Sequence, residues 1–180
     1  TADTAPVVDA NGRLVGVITA DAHAIPLLGF GTWNLTPEVA RTMVAEALRI
    51  GYRHIDTAWI YHNEAAVGDG IRDAIAAGHV AREDIWLTTK IWVAHFDREG
   101  LLKQARESAA SLGFTPDLLL LHWPKTEPSF AETLDALNEA KDLGLTRTIG
   151  LSNFPSAEFR EAQALSKATL VTNQVEYHPY

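Results

Sequence analysis

Apolar residues follow two alternating rhythms along this chain. Short apolar runs closed by turn residues give way to longer stretches in which apolar positions recur every three to four residues, the alternation expected of strand and helix. Strands are predicted at 28–32, 53–56, 85–90, 117–122, 148–151 and 170–176. Helices are predicted at 37–50, 64–76, 98–112, 129–143 and 156–165. For the first helix, Thr36, Pro37 and Glu38 supply an N-cap, a first-turn proline and an acid at the positive end. Val39, Met43, Ala47 and Ile50 fall at helical spacing, and Gly51 stands where a left-handed cap belongs. Ahead of this repeat lies a polar lead-in, and residues 14–19 and 22–25 flank a turn at Ala20 and Asp21, which reads as a small hairpin. The expected organisation is a lead-in with hairpin over 1–26 and a catalytic unit over 27–180.

The runs Leu118-Leu119-Leu120-Leu121 and Thr148-Ile149-Gly150-Leu151 lack polar-out alternation, as expected of parallel strands covered by helices. An α/β fold with a parallel sheet follows. A doubly wound open sheet and a (β/α)8 TIM barrel both fit the repeat. Polar residues at strand ends favour the barrel: Asp56, Lys90 and His122 close three strands, and Ser152 and Asn153 follow the next. A barrel gathers such ends on one rim, whereas an open sheet draws on the two strands beside its switch point. Only about six of eight strands are countable.

Composition narrows the chemistry. The 180 residues carry 15 Lys and Arg against 23 Asp and Glu, a net charge of −8, with 47% hydrophobic residues and no cysteine. One globular unit of this size builds a core without staples. Disulfides, thiolate metal sites and cysteine nucleophiles are excluded. The acidic balance argues against nucleic acid as a partner, and no apolar run approaches a membrane span. Without a basic, apolar leader at the N-terminus, a cytoplasmic location is expected. The chain begins with Thr1, so its start reflects processing or truncation.

Familiar site motifs are absent. Gly29-Phe30-Gly31 runs on into Thr32, Trp33 and Asn34 and makes no dinucleotide fingerprint, and Gly68-Asp69-Gly70 falls inside a predicted helix. There is no Walker loop, no HExxH and no Gly-x-Ser-x-Gly elbow around Ser152. No metal is expected. What remains is Asp56, Tyr61, Lys90 and His122 near neighbouring strand ends. A phenol has a pKa near 10, an ammonium within about 4 to 6 Å lowers it, and a carboxylate keeps that ammonium in place. An imidazole can then orient a carbonyl oxygen or pass it a proton. Such a set suits carbonyl reduction, in which negative charge grows on oxygen.

Six strings in order, GFGTWN at 29–34, GYRHIDTAWIYHNEAAVG at 51–68, LTTKIW at 87–92, LLLLHWP at 118–124, TIGLSNF at 148–154 and NQVEYHPY at 173–180, resemble the aldo-keto reductase superfamily. The likeness covers nearly everything after Ile25. The short connection over 124–129 is similar to small prokaryotic members such as 2,5-diketo-gluconate and glyoxal reductases. The resemblance implies NADPH-dependent (NADP) reduction of aldehydes and ketones, with Tyr61 as proton donor, Lys90 tuning it, Asp56 paired with the lysine and His122 orienting a small carbonyl substrate. It further implies Ser152, Asn153 and Gln174 as hydrogen-bond partners of the nicotinamide carboxamide. Thr32 and Trp33 would lie beside the cofactor or pocket, and Trp33, Trp92 and Trp123 would line an apolar substrate cavity.

Each residue taken singly has a plainer reading. Asp56 could be a turn or cap, Lys90 a solvated charge, and Ser152 and Asn153 caps of the following helix. Trp86 reads as core filling, and His54, His62, His95 and His178 as structural. One shared site explains four consecutive strand ends better than four separate coincidences do. The family completes eight strands and this chain stops at Tyr180, after the sixth. The resemblance therefore implies a fragment, or a chain that self-associates through unpaired strand edges. The portion beyond would carry the aromatic residue under the nicotinamide and the basic segment that grips the 2′-phosphate. The alternative is a truncated, catalytically impaired barrel serving as a binding or interaction module.

Overall fold

The computed structural model describes residues 5–8, 14–18 and 24–176. Six parallel strands lie in chain order: β4 (Gly29–Gly31), β5 (His54–Asp56), β6 (Trp86–Ile91), β7 (Leu118–Leu121), β8 (Thr148–Ser152) and β9 (Leu170–Gln174). Helices α1 (Pro37–Arg49), α2 (Glu64–Ala76), α3 (Arg98–Leu112), α4 (Phe130–Asp142) and α5 (Ser156–Leu165) connect them. Consecutive parallel neighbours joined by helices make an incomplete (β/α)8 barrel, six strands of eight. In this sheet β4 and β9 are the outer strands, each paired on one side.

The hairpin expected near the N-terminus is present as β2 (Leu14–Ile18) antiparallel to β3 (Ala24–Pro26), while its turn lies outside the described residues. The lead-in is not wholly irregular: β1 (Ala5–Val8) pairs antiparallel with β2. Pro6, which has no N–H to donate, sits there on an outer strand, where proline is tolerated. His178 lies outside the described residues.

Local chemistry explains the helix boundaries. Thr36 caps α1, its hydroxyl accepting from the Val39 N–H, and Pro37 opens the helix. Asp97 caps α3 and Gly113 ends it at φ 72°. Ser129 and Glu132 cap α4 reciprocally. One expected face is corrected. The buried side of α1 is Ala40, Val44, Ala47 and Leu48, whereas Val39, Met43 and Ile50 are exposed. Close packing decides this, because α1 meets α2 where Gly70 lets the backbones approach: a Cβ there would stand 2.5 Å from the Arg41 carbonyl oxygen and 3.0 Å from Val44 Cβ.

Strand parity then aims the site. Side chains alternate across a strand, and Ile55, Leu87, Leu119, Leu121, Ile149 and Leu151 join the apolar layers that include helix residues. The opposite parity faces inward. Trp86, Leu118 and Leu120 fill the lower interior with Ile25 and Val171 against them. Asp56, Lys90, His122 and Ser152 are the same parity carried to the C-terminal strand ends, and Gln174 joins them opposite Ser152 after an irregularity in the β8–β9 register. Among the described residues no helix is long and apolar enough to cross a membrane.

Candidate active site

The strand ends surround a cavity of about 480 Å³ lined by Trp33, Ile60, Tyr61, Lys90, Trp92, His122, Trp123, Ser152, Asn153, Gln174, Val175 and Glu176. Of the expected site residues, only Asp56 and Thr32 are missing from this wall. Asp56 stands behind it, accepting from Lys90 Nζ at 2.7 Å and from Gln174 Nε2 at 2.8 Å. Thr32 is fully buried, its hydroxyl within hydrogen-bond distance of the Asp56 carbonyl and Thr57 Oγ1. Its side chain therefore holds the strand end together from behind the cavity wall.

Lys90 is 2% exposed, so it is no solvated surface charge. Its ammonium donates to Asp56 Oδ1 and to the Thr57 carbonyl at 2.8 Å. Burial draws it below the ordinary lysine range, against the opposing pull of Asp56. Gln104 of α3 braces the strand carrying it: its amide donates to the Lys90 carbonyl and accepts from the Trp92 N–H, both at 3.3 Å.

Tyr61 ends a short 3₁₀ turn, Trp59–Tyr61, and the next residue, His62, adopts a left-handed φ of 55°. The Lys90 ammonium lies 5.2 Å from the phenol ring centroid, within cation–π range. Trp33 meets the ring edge-on at 5.1 Å and His122 at 5.8 Å. The expected lowering of the phenol's pKa does not occur: burial and then the Asp56 carboxylate push it up to about 12. Removing water from a phenolate raises its pKa, and a neighbouring carboxylate raises it further.

His122 sits among Tyr61, Trp92 at 5.4 Å and Trp123, stacked at 6.5 Å. Burial, and then the Lys90 charge, lower its pKa to about 4. The ring is thus neutral at pH 7, with one nitrogen donating and one accepting. Its Nδ1 is buried without a partner among the described residues.

Ser152 donates to the Gln174 carbonyl at 3.0 Å, and Asn153, at φ 64°, donates to the His122 carbonyl and to Ser152 Oγ. Neither caps α5, whose N-cap is Pro155 with no side-chain bond. Asn153 Oδ1 and Gln174 Oε1 have no hydrogen bond among the described residues, leaving two acceptors at the cavity. Sequence reasoning missed Ile60, Val175 and Glu176 in the wall, and Thr57, Asn63 and Gln104 behind it. The spacing of Thr57 and Asn63 around Tyr61 was the available signal. Trp86 is buried core, as expected, and half-buried His54 bonds Thr88 Oγ1 at 2.9 Å.

A family model described as the Aldo/keto reductase family matches residues 27–180. Methylglyoxal reductase DkgB of Escherichia coli O157:H7 is 44% identical over 161 residues, covering 87% of this chain and 59% of the relative. DkgB of Yersinia pestis is 41% identical over 160 residues, covering 87% and 58%. Among solved structures, a putative 2,5-diketo-D-gluconic acid reductase B superposes with a TM-score of 0.86 at 41% identity, over 93% of this chain and 58% of that one. The Bombyx mori aldo-keto reductase in complex with NADP superposes with a TM-score of 0.79 at 36% identity, over 88% and 56%. The chain thus spans less than two thirds of the length of these relatives. On its sequence match, its parallel strand order and its likeness to these solved structures, the chain belongs to the aldo/keto reductase family.

Proposed function

We propose that the protein reduces small aldehydes and ketones to alcohols with NADPH, and that Tyr61 donates the proton. The observation that carries this reading is the meeting of the Tyr61 ring, the Lys90 ammonium and the neutral His122 ring at one apolar cavity wall. A phenol held near 12 stays protonated at neutral pH and is still far more acidic than water, at about 15.7. It can therefore protonate an alkoxide forming on substrate. Lys90 stabilises the negative charge left on the phenol, while Asp56 and the Thr57 carbonyl fix the ammonium in place. A donor nitrogen of neutral His122 orients the substrate oxygen, and Trp33, Trp92 and Trp123 supply the apolar walls.

The acceptors Asn153 Oδ1 and Gln174 Oε1 suit the amide N–H groups of a carboxamide, so the residues fit a nicotinamide, and Ser152 holds the Gln174 backbone in register. When bound, NADPH supplies the hydride. Small dicarbonyls of the methylglyoxal kind are the proposed substrates, by likeness to the DkgB relatives. The test is Tyr61→Phe in the full-length protein. Turnover of methylglyoxal with NADPH should fall about 10²- to 10⁴-fold, the range of a positioned general acid, with NADPH affinity retained. Undiminished turnover would reject the proton-donor role.

A further inference from the structure

The turn bearing Tyr61 leaves β5 just after Asp56 and enters α2 at Asn63. Its two shoulders are joined. Thr57 Oγ1 donates to Asn63 Oδ1 at 3.1 Å, so a side-chain bond bridges the chain on either side of residues 58–62. The Asn63 amide nitrogen donates to the carbonyls of Thr32 at 3.0 Å and Leu35 at 3.1 Å, on the two sides of Trp33. Thr57 Oγ1 also receives the Thr32 hydroxyl at 2.9 Å, and the Thr57 carbonyl receives the Lys90 ammonium. Both side chains are buried, Thr57 fully and Asn63 to within 2%.

Asn63 occupies the N-cap of α2, the ordinary post for this residue type, yet makes no cap hydrogen bond there. Its polar atoms are spent on the turn and on the Trp33 loop. Buried amides satisfied in this way fix geometry, because any slip leaves donors unpaired at a cost of about 1 to 3 kcal/mol each. From this geometry we infer that Thr57 and Asn63 are positioning residues that clasp the Tyr61 turn and set the phenol against the Lys90 ammonium and the Trp33 ring. The inference rests on Tyr61 as proton donor and extends that role to two residues that touch neither substrate nor cofactor.

The clasp is testable without turnover. In the full-length protein labelled with ¹³Cζ-tyrosine, the Tyr61 resonance is assigned by its loss in Tyr61→Phe and followed against pH. Lys90, His122 and Asp56 are the charged or titratable groups facing it. Thr57→Val keeps the shape and removes the hydroxyl, and Asn63→Ala removes the amide. Both should let water reach the phenol and bring its titration down by about one unit or more toward the ordinary value near 10, leaving Tyr52 unmoved. Thr57→Ser, which keeps the hydroxyl, should titrate as the unaltered protein does. Folded Thr57→Val and Asn63→Ala proteins with unchanged Tyr61 titration would overturn the inference. So would loss of folding in both, which would assign these residues to the fold alone. Neither outcome depends on whether Tyr61→Phe abolishes turnover, so the two readings fail separately.

Discussion

Gln174 Nε2 lies 2.8 Å from Asp56 Oδ2, although 118 positions separate the two residues in the chain. The bond carries the end of β9 across the interior to the end of β5, two strands with three others between them in the sheet. Asp56 is thereby held from two sides, by an amide on one oxygen and an ammonium on the other. A hydrogen bond to a charged group contributes about 1.5 to 3 kcal/mol. Gln174→Leu should lower the stability of the folded chain by that amount in urea titrations. Gln174→Glu should be the more damaging above the carboxylate range, where two anions meet, and the milder in acid. Equal stability of the two variants at all pH values would contradict this pairing.

The Asp56–Lys90 pair is buried mainly on its lysine side. Asp56→Leu leaves an ammonium in the interior with only the Thr57 carbonyl, and a loss of about 3 to 5 kcal/mol is expected. Lys90→Met strands a carboxylate that keeps its Gln174 bond, so its cost should be smaller. The double variant should lose less than the sum of the two, since neither charge then lacks its partner. Additive losses in a denaturant double-mutant cycle would mean that the pair is not coupled.

His122 links stability to acidity. Its folded pKa of about 4 lies below the ordinary 6.5, so the unfolded chain takes up the proton first. The stabilisation by the neutral ring is intact above about pH 6.5 and declines as pH falls toward 4. His54, also lowered by burial, acts in the same direction. Buried Glu64 is raised and acts oppositely, disfavouring the fold as pH climbs. Comparing the unaltered protein with His122→Gln cancels the other two. Urea midpoints should show a shallower acid decline in the variant, and parallel curves would contradict the shift.

Gly68 sits inside α2, where alanine would ordinarily stabilise by about 1 kcal/mol. Here a Cβ would stand 2.0 Å from the Leu112 carbonyl oxygen of α3. Gly68→Ala should therefore destabilise by about 1 to 3 kcal/mol, in keeping with an overpacked contact. A raised melting temperature would show that the two helices can separate freely.

The strands and helices were largely legible because parallel strands and their covering helices carry opposite periodicities. The predicted helices at 64–76, 98–112 and 156–165 coincide with α2, α3 and α5. The α1 face was not legible. Val39 and Met43 are as well spaced as Ala40 and Val44, and only Gly70 of α2, read in three dimensions, selects the smaller set. Asp56, Lys90 and His122 could be picked out because polar residues at strand ends stand out against apolar runs, and Tyr61 because it follows Asp56 by one short turn. The direction of the Tyr61 shift could not, since a sequence reveals neighbours in charge and says nothing of how much water has been removed. The depth of Thr32 could not be read for a related reason: the GFGTWN string marks the loop, while the burial of each side chain within it depends on Thr57 and Asn63 a whole βα unit later.

Asp117, fully buried just before β7, accepts at 2.9 Å from Arg82, at 2.6 Å from Arg147 and at 2.8 Å from the Leu87 N–H. One carboxylate thus rivets the N-terminal ends of β6, β7 and β8, at the far end of those strands from the cavity. Loops around the mouth can drift in evolution or be rebuilt in the laboratory without loosening this rivet, so tolerance to change should be lopsided along the barrel axis, generous above and strict below.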